Sequence, residues 1–133
     1  MADPRQEDYE DAATLRIALR GFLARSEEVT REHGLTPERY ELLLLVKAAP
    51  EGKATVGELA KLLSVGQSAA TQLVRRAEDA GLVERTISRS DARVHPLRLT
   101  PEGERRLASA VAALEAERTT LRALLGREQA FEA

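Results

Sequence analysis

The chain has 133 residues, of which 32% are charged and only 3% aromatic, with no cysteine and a formal net charge of −2. That length suits one domain with a core of ordinary size, and an abundance of Ala, Leu, Glu and Arg favours helices over a β-sandwich, which would need more Val, Ile, Thr and aromatic residues. Disulfides, thiolate zinc sites and cysteine nucleophiles are excluded, and His33 and His95 lie too far apart for ligand spacing, so neither a metal nor a cofactor is expected.

In chain order, residues 1–11 are acidic and polar. They have the character of a solvated tail and not of a signal or transit peptide. No apolar run approaches the roughly 20 residues that cross a bilayer, so the expected location is the cytoplasm, with no membrane partner. Leu15, Leu19, Phe22 and Leu23 recur at i, i+4, i+7 and i+8, one stripe of a first helix over residues 7–32. Gly34 is placed to end that helix in a left-handed cap. Thr36 and Pro37 supply an N-cap and a proline at the first helical position. The second helix carries the run 42–46, apolar nearly all round and expected deep in the core, until residues 50–53 break it.

Thr55 and Glu58 form a capping-box pattern for a short third helix that should bury Val56, Leu59, Ala60 and Leu63. Ser64, Val65 and Gly66 make a tight connection. A fourth helix is predicted over residues 67–80, with Ala70, Leu73, Val74 and Ala77 on one face and Gly81 closing it. The period then changes to two. Val83, Arg85 and Ile87 alternate, residues 88–92 read as a turn, and Leu97 and Leu99 flank Arg98, which together predict a β-hairpin. Thr100 and Pro101 repeat the cap-and-proline signal and open a last long helix, expected to end near Gly126. Its Leu107, Val111, Leu114, Leu121 and Leu125 form a seam suited to packing against another helix.

Two short helices joined by a tight turn and followed by a β-hairpin describe a winged helix-turn-helix. The first short helix braces the second, whose outer face is free to enter a major groove. Gln67, Ser68, Thr71, Gln72 and Arg75 lie on that outer face, and Ser, Thr and Gln are hydrogen-bonding types suited to base edges. Arg75 and Arg76 are candidates for phosphate contact, and Arg89 and Arg93 sit at the tip of the hairpin. The net charge is acidic, but between residues 67 and 98 six arginines stand against four carboxylates. A nucleic-acid surface depends on that distribution more than on the total.

These residues resemble the MarR family of regulators. The resemblance rests on Leu59-Ala60-Lys61-Leu62-Leu63-Ser64-Val65, Ser68-Ala69-Ala70-Thr71 and Gly81-Leu82-Val83-Glu84-Arg85. It continues in Asp91-Ala92-Arg93, similar to the family's D-x-R, and Leu99-Thr100-Pro101-Glu102-Gly103, similar to its L-T-x-x-G. Motifs cover residues 36–103, and the flanking helices match by pattern. The resemblance implies a mostly α fold with a small β-hairpin wing, and a two-fold homodimer whose long N- and C-terminal dimerisation helices interlock. It implies one domain, 1–133, with a winged helix-turn-helix DNA-binding lobe at 36–100 and dimerisation helices at 7–35 and 101–133. It also implies a ligand-responsive repressor of a pseudo-palindromic double-stranded DNA operator, and a small phenolic or anionic effector held between the dimerisation helices and the DNA-binding lobe. In this family pattern Arg93 is the wing arginine of the minor groove, and Asp91 holds the wing in shape by pairing with a nearby arginine.

Three departures from the family pattern bear on the structure. Ala70 and Ala77 are smaller than the Val and Leu usual there, so the fourth helix should sit close to its neighbours. Pro96 removes one ladder donor, so the second wing strand should be short or bulged. The chain beyond Gly126 leaves little for a separate C-terminal helix. The competing readings are plainer. Arg75 and Arg76 can pair with carboxylates on their own helix, the leucine seam can pack within its own domain, and the fold can serve as a protein–protein assembly module without DNA. An enzyme is disfavoured, since the sequence has no nucleophile elbow, phosphate loop or histidine-centred triad.

Overall fold

A computed structural model describes residues 2–88, 91 and 93–132, with side chains through residue 124. Helix α1 (Gln6–Glu32) ends where Gly34 turns to φ +75°, a conformation glycine adopts without steric cost. The Leu35 amide then donates back to the Thr30 carbonyl at 2.9 Å. Helix α2 (Pro37–Ala48) opens as its sequence signals require: Thr36 Oγ1 accepts from the Arg39 amide at 3.2 Å, with Pro37 at the first position. A 3₁₀ turn, Pro50–Gly52, breaks the chain. Helix α3 (Val56–Leu63) carries both halves of the capping box between Thr55 and Glu58. Ser64 adopts the left-handed conformation that reverses the chain, so Ser64 and not Gly66 is the turning residue before α4 (Gln67–Asp79).

The wing is an antiparallel pair, β1 (Val83–Arg85) and β2 (Leu97–Leu99), registered Val83 to Leu99 and Arg85 to Leu97. The predicted alternation to Ile87 stops at Arg85, and Ile87 is exposed. Pro96 ends the ladder as expected for a residue without an amide proton, while its carbonyl still accepts from the Thr86 amide at 2.7 Å and Thr86 Oγ1 at 2.8 Å. Nothing in the sequence marks Ala54 as a partner for the other edge of β2, yet the Leu97 amide donates to the Ala54 carbonyl at 2.7 Å and the reciprocal bond measures 3.0 Å. That bridge fixes the wing's root to the entry of α3.

The last helix differs from its expectation. It is two helices, α5 (Pro101–Ala113) and α6 (Glu115–Glu132), separated at Leu114, and the second runs through Gly126. Glycine costs a helix interior only about 1 kcal/mol relative to alanine, so it need not end one. A separate terminal helix is therefore present. The leucine seam also divides. Leu107 and Leu114 are buried within this chain, Val111 and Leu121 are half-buried, and the side chain of Leu125 lies outside the described residues.

The core lies between α2, α4, the wing root and α5, built on Leu42, Leu43, Val46, Leu59, Val74, Leu82, Leu97 and Leu107. The 42–46 run is less deeply buried than its composition suggests, since Leu44 is exposed and Leu45 only partly covered. Val56 and Leu63 likewise pack at the margin of the core while Leu59 and Ala60 are buried. Ala70 and Ala77 are fully buried on the inner face of α4.

The strongest constraint sits where α5 begins. A Cβ on Gly103 would stand 2.1 Å from the Leu82 carbonyl oxygen. That oxygen accepts from the Thr100 amide at 3.0 Å, while Thr100 Oγ1 donates to the Gly81 carbonyl at 2.6 Å and accepts from the Gly103 amide at 3.1 Å. Substituting Gly103→Ala should therefore force backbone apart and cost at least about 3 kcal/mol, the upper range for overpacking. Urea unfolding checks this; a loss below about 0.5 kcal/mol would contradict it.

Candidate nucleic-acid interface

Helix α4 owes its orientation to Ala70, Val74 and Ala77, which are all fully buried. At about 100° per residue, Ser68, Gln72 and Arg75 fall opposite that face, and all three are exposed. Gln67 is exposed at the first position. Thr71 lies on the flank, half-buried, with its hydroxyl donating to the Gln67 carbonyl at 2.9 Å, which leaves its oxygen lone pairs as acceptors. Asp79 shares the outer face near the C-terminus. Its charge opposes a phosphate backbone there, so the usable surface is the first three turns of α4.

The arginines between residues 67 and 98 divide by partner. Arg85 pairs with Glu78 at 3.3 Å, which ties β1 to α4, and Arg98 pairs with Glu84 at 2.8 Å across the wing. Arg75 and Arg76 form no ion pair among the described residues, against the plainer reading that they neutralise carboxylates on their own helix. Arg89 lies outside the described residues. Arg93 is 92% exposed at its side chain, and its Nε donates to Asp91 Oδ1 at 3.3 Å while its amide donates to the same oxygen at 3.0 Å. The arginine beside Asp91 is therefore Arg93 itself.

Two features escaped the sequence. Arg39 at the start of α2 and Arg76 on α4 line one hollow with Thr36, Glu38 and Leu73. Only the packing of α2 on α4 brings them together. Elsewhere a cavity of about 410 Å³ opens between α1, α2 and the α5–α6 junction, walled by Phe22, Leu23, Leu44 and Leu114, with Tyr40 and Arg118 among its polar groups. Burial pushes the Tyr40 phenol above its ordinary pKa, an effect opposed by the positive charge of Arg118. Arg118 is itself steadied by donating to the Val111 carbonyl.

Comparison with known proteins gives a consistent result. A model of the MarR family matches residues 33–94. The HTH-type transcriptional repressor MdtR of Bacillus subtilis is 30% identical over 106 residues, spanning 80% of this chain and 67% of its own length. Among solved structures, the transcriptional regulator Tm0710 from Thermotoga maritima matches with a TM-score of 0.67 and 28% identity, over 96% of this chain and 87% of its own. A MepR variant of S. aureus bound to an oligodeoxyribonucleotide matches with a TM-score of 0.68 over 91% of this chain and 88% of its own, at 19% identity, a likeness of fold alone.

If α4 reads bases and the wing supplies charge, the two should separate experimentally. Gln72→Ala should cost about 1–3 kcal/mol per half-site on specific DNA and little on random duplex. Arg93→Ala should weaken both alike and flatten the salt dependence by about 1 for each phosphate no longer neutralised. Titrations at several salt concentrations distinguish them, and an Arg93→Ala protein with unchanged affinity and slope would remove the wing from the interface.

Proposed function

The chain belongs to the MarR family of DNA-binding transcriptional regulators, and on that premise we propose that it is a homodimeric, ligand-responsive repressor of a pseudo-palindromic operator, working in the cytoplasm. Residues 36–100 form its DNA-binding lobe, while residues 7–35 and 101–133 hold the two copies together. Gln67, Ser68, Thr71 and Gln72 read base edges, Arg75 and Arg76 meet phosphates, and Arg93 and Arg89 contact DNA from a wing shaped by Asp91, Arg93 in the minor groove. The observation that carries this reading is the outer face of α4: a hydrogen-bonding surface with two adjacent arginines that no carboxylate neutralises among the described residues.

The dimer reading is supported by α1. Of its 27 residues only Val29 and Thr30 are buried, and Tyr9, Leu15, Leu19 and Leu23 are exposed. Leu15, Leu19 and Leu23 follow one another at four-residue spacing along one stripe. Covering such side chains stabilises by up to about 1.5–3 kcal/mol each, and a second copy of the same stripe is the partner that two-fold symmetry provides.

The effector reading is supported by the 410 Å³ cavity. Its apolar walls suit an aromatic ring, and Tyr40 and Arg118 suit a hydroxyl and an anionic group on that ring. Because the cavity touches both α1 and α2, an occupant bears on the angle between the dimer helices and the DNA-binding lobe. With a hydroxybenzoate as probe, ligand-induced release of DNA should be lost in Arg118→Ala while operator affinity without ligand is kept; release unchanged in that variant would place the ligand elsewhere.

The dimer has a sharper test. Leu19→Asp should give a folded monomer with weak operator binding, whereas Leu114→Asp should unfold the chain because Leu114 is 1% exposed within it. Sedimentation equilibrium with circular dichroism separates the two. A Leu19→Asp protein that remains a tight dimer would contradict the assigned interface.

A further inference from the structure

The hollow between the start of α2 and the flank of α4 joins Arg76, a phosphate candidate of the sequence, to Arg39, which the sequence did not single out. It measures about 200 Å³ and is lined by Thr36, Glu38, Arg39, Leu73 and Arg76. Neither arginine pairs with a carboxylate among the described residues, although Glu38 shares the hollow and many other arginines in this chain have found one. Two like charges brought to one hollow by separate helices are mutually repulsive in the free protein, and Glu38 offsets only one of them. An anion seated between them relieves that repulsion.

The helix geometry says which anion. Around α4, Arg76 lies about 40° from Gln72 and about 100° from Arg75. The hollow therefore borders the outer face, on the side where a duplex lying against Ser68 and Gln72 would carry its backbone past the protein. Leu73 and Thr36 also line the hollow. Arg39 is half-buried, with its amide tied to Thr36 Oγ1 at 3.2 Å, so its backbone is fixed before any ligand arrives. Guanidinium groups offer planar forks matched to phosphate oxygens.

We infer that Arg39 and Arg76 together seat one phosphodiester of the operator backbone, extending each protomer's footprint from α4 onto the start of α2. This rests on the DNA-binding reading of α4 given above. The seat carries no sequence information and acts as a register pin: it fixes where the duplex backbone lies and so at what depth α4 enters the groove. Arg39 is in this sense a positioning residue. Glu38, at the rim, sets the strength of the seat by opposing the phosphate charge.

The test is a set of salt-dependent titrations of full-length protein against a duplex selected for binding and a scrambled duplex of equal length. Arg39→Gln should weaken binding to both by the same factor, about 10-fold for each protomer and so about 100-fold for the dimer at low salt, the effect of removing one charged hydrogen bond per protomer. The slope of log affinity against log salt should fall in Arg39→Gln, and by about 2 once Arg76→Gln is added, since the dimer then leaves two phosphates without their counter-charge. Arg39→Lys should restore most of the slope, which a merely structural role would not predict, and Glu38→Gln should tighten both complexes. The double variant Arg39→Gln with Arg76→Gln should lose less than the product of the single losses, because the two share one phosphate.

Three results would overturn the proposal. If Arg39→Gln leaves affinity and slope unchanged while Arg75→Gln reduces them, α4 binds DNA but the seat does not exist. If inorganic phosphate raises the melting temperature of the wild type and not of Arg39→Gln, with DNA affinity equal in both, the hollow is a free-anion site instead. If the wild type binds neither duplex in a salt-dependent way, the DNA-binding reading fails, and the seat with it.

Discussion

The backbone contact between Leu82 and Gly103 is the point on which the geometry of the proposed DNA-binding surface turns. One carbonyl oxygen receives the Thr100 amide, and helix α5 starts so close above it that a single methyl group has no room. Thr100 Oγ1 holds the Gly81 carbonyl and caps the Gly103 amide at the same place. Three elements meet there: the end of α4, the start of β1 and the start of α5. The angle at which α4 leaves the core is therefore tied to the root of the wing and to the long helices that follow. Hydrogen-bonded backbone thus joins the start of α5 to the residues that follow α4. Arg106, which binds both Glu102 and the Gly34 carbonyl, extends that linkage to the end of α1.

Electrostatics explains how an acidic chain presents a surface for a polyanion. Several carboxylates are committed elsewhere: Glu78 holds Arg85, Glu84 holds Arg98, Glu104 holds Lys47, and Glu117 holds Arg25. Each of these exposed pairs adds little stability, commonly under about 1 kcal/mol. Their effect here is on distribution. They leave Arg39, Arg75 and Arg76 without carboxylate partners among the described residues, and all three lie on or beside one face. Net charge says little about such a surface, because phosphate contact is decided within a Debye length of about 10 Å.

Much of this was legible in the sequence, for identifiable reasons. Thr36-Pro37, Thr55 with Glu58, and Thr100-Pro101 are local signals whose chemistry is complete within four residues, and each helix starts where its signal lies. The period-two pattern at Leu97 and Leu99 likewise reports burial directly. What the sequence concealed was non-local. The break at Leu114 carries no proline or glycine; it divides the leucine seam into a part buried in this chain and a part beyond. Gly103 stands out in the sequence only as the glycine of the L-T-x-x-G pattern; the reason for it, the Leu82 backbone against it, is visible only in the fold. Arg39 looks like a surface arginine of a first turn, and only the contact of α2 with α4 sets it beside Arg76. The bridge from Ala54 to Leu97 joins two segments with no shared pattern.

The proposed function places two copies of α4 with their outer faces on successive turns of one duplex. Selection of bound sequences from a random duplex pool tests this most directly, because it assumes neither an operator nor an effector. The expected result is enrichment of a pseudo-palindrome whose half-sites are centred about one helical turn, or a small multiple of it, apart. Recovery of a pool with no common sequence, or of a single unrepeated half-site, would contradict it.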